Sequence, residues 1–501
     1  MNIDNCNYSI EKKNATRQLY KYAISSVCAM WVFSIYTMVD GIFVARGVGV
    51  IPLAAVNISM PIINLSFGLS ILMSVGASTR ASYWKGMGKK HEADKTFTEG
   101  CIWVLILALI TSISSYIFIE PLGRLLGADG QTMPYVKSYL SILLLFDCCY
   151  MVSYYLEVLV KADGYPQKAI LYPLVGAVVN IGLDYVFIFR LHMGISGAAW
   201  ATGLAQLTSL LLFMHHYMRK SHKGFSFTPV VLRPDLALEM GAIGFADAIT
   251  EVSVGVVIMI FNRRLLEIYG NDAIAIYTII SYLSQLVLMT VVGLSQGMQP
   301  LLSYYWGRCG ALTSGENQAE EQKAALNQAE EQKAAINKAD KLGNDMEYRR
   351  ESEEILTLVF IKSLIIGIIL SIGAFSICQI GAKWIVRIFL NEGEHHLLEV
   401  AVSSLRMYSY SYLPLGVTII IYASLVAFEK SGPAMSISIS RGIALSVVLV
   451  YVLPVFLGLE GVWLSQILAE WATMILAVIL YRTKLKNQLG KSEVNMLKGT
   501  K

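Results

Sequence analysis

Charge is what this sequence has little of. Only 15% of its 501 residues are Asp, Glu, Lys or Arg, against about 25% in an ordinary soluble domain. Apolar residues make up 55%, and the mean hydropathy is +0.55. A water-soluble chain of this composition would expose large sticky patches; lipid as solvent removes that problem. The net charge of +4 gives no case for a nucleic-acid partner. Cysteine is sparse and unpatterned. Cys6, Cys28, Cys101, Cys148, Cys149, Cys309 and Cys378 include no Cys-x-x-Cys, and most lie in apolar runs where a thiol acts as a small hydrophobe. A disulfide framework or a metal site is therefore not expected. The first apolar run has no small-residue cleavage signal, which argues against a removed signal peptide.

What the sequence does have is long apolar runs. A membrane-spanning helix needs roughly 20 mostly apolar residues, and twelve stretches qualify: 19–45, 52–79, 97–119, 134–160, 168–190, 194–218, 236–266, 272–301, 354–380, 396–427, 433–457 and 461–482. An even number puts both termini on one side. With the N-terminus inside, cytoplasmic segments hold 28 basic residues and outer loops 7; without the long loop near 303–350 the ratio is still 21 to 7. That bias predicts a multi-pass plasma-membrane protein with both termini in the cytoplasm.

An internal repeat divides the chain. Residues 53–86 align without gaps to 274–307 at an offset of 221, matching Ala54/Ala275, Leu65/Leu286, Ser74/Ser295, Gly76/Gly297, Ser82/Ser303, Tyr83/Tyr304 and Gly86/Gly307. Gly194 and Gly197 recur as Gly458 and Gly461, each pair opening the last span of its half. The expected fold is all-α and integral to the membrane, with twelve helices in two pseudo-symmetric six-helix lobes. The first lobe is 19–220 and the second 236–482, joined by 221–235, with cytoplasmic tails at 1–18 and 483–501. Two lobes of like orientation can rock about a central site. The stretch 311–350 contains a ten-residue repeat, NQAEEQKAAL then NQAEEQKAAI, rich in strong helix formers. It reads as an inserted cytoplasmic helix.

Ionisable groups inside spans are costly and so mark candidate functional sites. Asp40 lies late in span 1. Asp184 lies in span 5 with Asn180 one turn earlier, and Thr202 lies in span 6. All four belong to the first half. At the repeat offsets the second half has Phe261, Ala444 and Val448 where the first has Asp40, Asn180 and Asp184. Two carboxylates in one poorly solvated pocket cannot both ionise easily, which suits reversible protonation; the same oxygens could instead hold Na⁺. Asp247 and Glu251 share a face of span 7. Asn57 and Asn64 share a face of span 2, with Gln285 matching Asn64, and Tyr36 lies one turn before Asp40. These six are expected to line a central substrate cavity. Asp147, Glu157, Arg406 and Arg441 read as partners in structural ion pairs.

The stretches YTMVDGIFVARGVGVIPLAAVNISMPI, GASTRASYWKGMGKKHEADKTF, KADGYPQKAILYPLVGAVVNIGLDYVFIF, GISGAAWATGLAQ, YGNDAIAIYTIISYLSQLVLMTVVGLSQGMQPLLSYYWG and SGPAMSISISRGIALSVVLVYVLPVFLGLEGVWLSQILAEW carry a resemblance to the multidrug and toxic compound extrusion (MATE) family, nearly end to end, and most to its bacterial multidrug-exporter branch. The resemblance implies export of lipophilic, often cationic molecules in exchange for H⁺ or Na⁺, with no cofactor and no enzymatic step, by a protein taken here as a monomer. It maps a first-lobe cation site onto Asp40, Asn180, Asp184 and Thr202. A second-lobe site of another branch pairs a span 7 Glu with a span 10 Asp. Here Glu251 matches, but span 10 has no Asp. Span 1 also lacks the Pro that bends it in some relatives. A lipid-linked saccharide flippase of the same broad superfamily is the alternative, but it calls for a strongly basic cavity, and few basic residues lie within spans. A membrane enzyme would need a reactive cluster at one face, and no such His, Asp or Cys grouping is present.

Overall fold

The computed structural model describes residues 3–48, 50–126, 128–219, 224–269, 271–323, 331–387 and 395–485, and among them there is no strand. The first lobe consists of α1 (Ile3–Gly47), α2 (Val50–Gly86), α3 (Lys90–Ile117), the short α4 (Ile119–Leu125), α5 (Met133–Ala162), α6 (Lys168–Asp184) and α7 (Gly194–Met218). The second consists of α8 (Pro234–Tyr269), α9 (Asn271–Lys323), α10 (Glu331–Arg387), α11 (His395–Tyr408), α12 (Leu415–Ala427), α13 (Ser431–Ile439) and α14 (Leu445–Leu480). Helix is the expected answer in lipid, because it satisfies every backbone polar group within its own segment.

By length and apolarity alone, nine described helical stretches can cross a membrane. One of them, Ser431–Lys484, runs for 54 residues. At 1.5 Å per residue this is about 80 Å, well over the ~30 Å hydrocarbon core. It breaks at Gly458, whose φ of 62° and ψ of −140° end one crossing and start the next. Gly194, its repeat mate, has φ 60°. Left-handed φ is cheap only for glycine, which explains why both halves place glycine at this corner. With α1 and α8, whose apolar stretches include side chains outside the described set, the crossings number twelve.

Span 10 is interrupted. Between α11 and α12 the chain makes a 3₁₀ turn at Ser409–Tyr412 and then reaches Pro414. Proline lacks an N–H and breaks the helical ladder. Side chains supply partners near the break: Gln379 Nε2 donates to the Arg406 carbonyl (2.8 Å) and to Ser409 Oγ (2.9 Å), and Ser371 Oγ accepts from the Gly416 amide (2.8 Å). Within the insertion expected at 311–350, the described backbone is helical up to Lys323 and again from Glu331.

The lobes meet where α1 packs on α9 and α2 packs on α8 and α9. At one crossing the repeat becomes visible in space. A Cβ on Gly86 would overlap the Tyr304 carbonyl, and a Cβ on Gly307 would overlap the Tyr83 carbonyl. Both glycines and both tyrosines are repeat mates, so the contact is reciprocal about a pseudo-two-fold axis. This crossing lies at the terminal face, the one that carries the first turns of α1 and the turn after α14, where Lys362 of α10 donates to Thr16 of α1 and Phe360 stacks on Tyr481. On the same face Arg80 of α2 spans the lobes. It forms an ion pair with Glu239 of α8 (3.1 Å) and grips both oxygens of Glu429 (3.0 and 2.8 Å). Glu429 is one of two non-glycine residues with positive φ among the described residues.

The connection between the lobes is pinned to the first. Residues 224–233 run extended along α3 and the end of α5. Their amides donate to side chains: Phe225 to Asp163 (2.9 Å), Ser226 to Asp94 (3.0 Å), Thr228 to Thr98 (3.1 Å) and Arg233 to Glu99 (3.2 Å). The segment has no helical or strand ladder of its own, so its amides are satisfied by these side chains instead.

Candidate functional site

Three polar groupings lie inside this apolar frame. The first is in the N-lobe. Asn180 and Asp184 are one turn apart on α6 and fully buried, and Thr202 faces them from α7. The Asn180 amide sits between the other two. In one orientation it donates to Asp184 Oδ2 (3.1 Å) and accepts from the Thr202 backbone amide (3.3 Å); in the other it donates to Thr202 Oγ1 (3.4 Å). Helix α6 gives way to a π-helical turn, Tyr185–Arg190, immediately after Asp184; such turns often occur at functional sites. The structure therefore brings three of the four predicted cation-site residues together. The fourth, Asp40, lies with Tyr36 and Asn57 outside the residues whose side chains are described.

The second grouping lines the space between the lobes. A cavity is bounded by Phe67, Tyr150, Tyr154, Glu157, Glu251 and Gln296, with Met30 and Met289 among its apolar walls. A neighbouring cavity adds Asp247, Gln285, Tyr422 and Arg441, sharing Glu251 and Gln296. Asp247, Glu251 and Gln285 thus face one central space, whereas Asn64 is exposed on α2. Glu157 is not an open charge: Lys161, one turn on and 1% exposed, pairs with it at 3.7 Å. The same ammonium reaches across the lobe boundary and donates to Gln296 (3.2 Å). That bridge went unseen in the sequence because Lys161 sits at the edge of a span, where it reads as a loop charge.

The third grouping is in the C-lobe. Arg441 donates through Nε to both oxygens of Glu470 (3.0 and 3.1 Å), and Gln466 donates to the same carboxylate (3.2 Å). Both charges are largely withdrawn from solvent. Of the four residues read as ion-pair partners, Glu157 and Arg441 are paired as expected. The other two differ. Arg406 donates to the Gln379 carbonyl (3.1 Å), and Asp147 is surrounded by hydroxyls. On α11 the guanidinium meets the break in span 10, whose carbonyls need donors; on α5, Asp147 faces α2 and α3, which carry no cation near it.

Two helical lobes around a shared polar interior define a class of polytopic membrane protein, and comparison with known proteins places this chain within it. The MatE family profile matches residues 26–186. The chain is 24% identical over 499 residues to a multidrug export protein, MepA, of Staphylococcus saprophyticus, covering 98% of this chain and 99% of that protein. It is 22% identical to MepA of Staphylococcus aureus over 98% and 99% of the two chains. Among solved structures, a multidrug resistance MATE family transporter in an outward-facing conformation superposes with a TM-score of 0.81 at 19% identity, covering 95% and 97%. The MATE resemblance and the two-lobed fold read from the sequence are borne out.

Proposed function

We propose that this protein is a secondary exporter of lipophilic, cationic small molecules across the plasma membrane, driven by inward flow of H⁺ or Na⁺. The observation that carries this reading is the inter-lobe cavity. Aromatic and methionine walls suit varied flat apolar molecules, and the carboxylates of Asp247 and Glu251 on the second lobe supply a counter-charge for an amine. Full-length similarity to proteins named as multidrug exporters supports the same conclusion.

In this reading Asn180, Asp184 and Thr202, completed by Asp40, form the coupling site. A cation bound there neutralises buried carboxyl oxygens and favours one lobe packing over another. Coupling requires that the two conformers bind the cation with different affinity. The terminal face is the cytoplasmic one, so the Arg80 and Lys161 bridges close the inner side of the cavity. The test is efflux of a fluorescent lipophilic cation from proteoliposomes under an imposed pH gradient or an imposed Na⁺ gradient. One gradient is expected to drive wild-type transport. Efflux independent of both would overturn the antiport reading, and intact coupling in both Asp40→Asn and Asp184→Asn would remove the first-lobe site from it.

A further inference from the structure

A buried carboxyl apart from these groupings has an arrangement that points to a bound proton. Asp147 lies on α5 within the membrane span and is 7% exposed. Its Oδ2 is approached by three hydroxyls: Ser66 Oγ of α2 at 3.2 Å, Thr111 Oγ1 of α3 at 3.1 Å and Ser112 Oγ of α3 at 3.1 Å. Among the described residues no Lys, Arg or His forms an ion pair with it. Within two turns of the contact, α2 carries no ionisable side chain, α3 carries only the phenol of Tyr116, and α5 adds the thiols of Cys148 and Cys149 and the phenols of Tyr150 and Tyr154, so no basic group lies there. A carboxylate held in a span without a counter-charge is disfavoured against its neutral form.

Counting protons leads to the same place. Thr111 has one hydroxyl hydrogen and several acceptors within reach: the Leu107 carbonyl at 2.9 Å, the Ala108 carbonyl at 3.0 Å and Asp147 at 3.1 Å. Threonines inside helices commonly donate back to their own helix. If Thr111 does so, its contact with Asp147 needs a hydrogen from the acid. A neutral Asp147 donates from Oδ2 to Thr111 Oγ1 and accepts from Ser66 and Ser112. When the proton leaves, rotation of the Thr111 hydroxyl supplies a third donor to the anion. Hydroxyl rotation thus lets the site accommodate both states.

We propose that Asp147, with Ser66, Thr111 and Ser112, is a reversible proton-binding site of the first lobe, separate from the Asn180, Asp184 and Thr202 set. Its link to transport rests on the antiport reading; its occupancy by a proton does not. The test is infrared difference spectroscopy of the full-length protein in liposomes, titrated with pH, beside efflux of the same fluorescent cation. The expected result is a carboxylic-acid carbonyl band present in wild type and in Asp184→Asn but missing in Asp147→Asn, with the pH profile of efflux displaced in Asp147→Asn. A band spectrum unchanged by Asp147→Asn overturns the proton site. A lost band with a wild-type efflux profile overturns its link to transport. Wild-type protein that shows the band but no coupled efflux refutes the antiport reading while leaving the proton site standing. Should Asp147→Asn fail to fold, Ser66→Ala with Ser112→Ala removes two donors to the anion. That pair should raise the pH at which the band disappears by about one unit, and an unmoved midpoint overturns the proposal.

Discussion

At the offset of 264 that pairs Gly194 with Gly458, Ala177 of α6 corresponds to Arg441, Thr202 of α7 to Gln466, and Gln206 to Glu470. The two lobes share a backbone plan but fill its centre differently. The N-lobe gathers Asn180, Asp184 and Thr202, an amide and a hydroxyl beside a fully buried carboxyl. The C-lobe supplies its own cation, Arg441, whose Nε donates to both oxygens of Glu470 and which is backed by Gln466. A carboxylate locked in a buried ion pair gains little from an ion arriving from outside; in the proposed reading the Asn180, Asp184 and Thr202 set is the one that responds to it. An internal charge pair fills the centre of one lobe, and in the proposed reading the other lobe's centre is the one that binds and releases the coupling ion.

The largest effect should separate the two carboxyls by kind. Asp184→Asn is expected to lower gradient-driven efflux at least about tenfold, the size of a 1.4 kcal/mol loss of coupling energy, with little change in melting temperature. Glu470→Gln should do the reverse. Removing one partner of a buried pair strands the other charge at a cost of about 3–5 kcal/mol, so the protein should melt earlier while any molecules still folded remain coupled. Replacing both partners, as Arg441→Met with Glu470→Leu, should recover most of the lost stability. If Glu470→Gln uncouples transport as fully as Asp184→Asn does, the lobes are not divided in this way.

The next effect examines what the lobes share. Gly86→Leu and Gly307→Leu each drive a side chain into the facing carbonyl of a repeat mate. Each should cost about 1–3 kcal/mol, and the two costs should be similar because the contact is reciprocal. Thermal melts of the two variants check this. Unequal losses would show that the pseudo-two-fold axis does not govern the packing of this crossing.

A smaller effect tests a feature of one lobe only. Arg80 aligns with Leu301 at the repeat offset, so the grip on Glu239 and Glu429 has no counterpart in the other half. These groups are roughly one-fifth to one-half exposed, which reduces the value of the ion pairs to about 1 kcal/mol. Arg80→Gln should therefore raise access from the terminal face about fivefold. The readout is the labelling rate of a single cysteine placed at Met289, which lines the cavity, in a background without the native cysteines, by a membrane-impermeant thiol reagent. An unchanged rate would mean that the Arg80 grip takes no part in closing this side.

Much of this was legible in the sequence, and the reasons are physical. Lipid forces every crossing to be a long apolar helix, so span number and lobe division can be read from hydropathy. Gly194 and Gly458 were visible as a repeat because both hold the same left-handed corner. Asn180 and Asp184 could be paired because four residues make one helical turn. What stayed hidden depends on contacts between distant segments. The break in span 10 relies on Ser371 and Gln379, more than 25 residues upstream of the residues they serve. Asp147 read as an ion-pair partner because its Ser66, Thr111 and Ser112 neighbours lie on two other helices. Arg80 and Lys161 sit at span ends, where a basic residue informs orientation and masks a role between lobes.

The smallest effect concerns where the lobes are joined. Asp94, Thr98 and Glu99 on α3 and Asp163 after α5 hold the connecting segment to the first lobe, and α8 begins at Pro234 directly after the last of these contacts. Residues 224–233 should therefore move with the first lobe, leaving the pivot at the junction of Arg233 and Pro234. Thr98→Val keeps the shape of the side chain but removes the acceptor for the Thr228 amide. Losing one neutral hydrogen bond costs about 1 kcal/mol, so hydrogen exchange at that amide should quicken about fivefold, while exchange in α8 and the rate of efflux stay at wild-type values. A change that spreads into α8 would place the pivot earlier in the chain and make the connecting segment part of the moving second lobe.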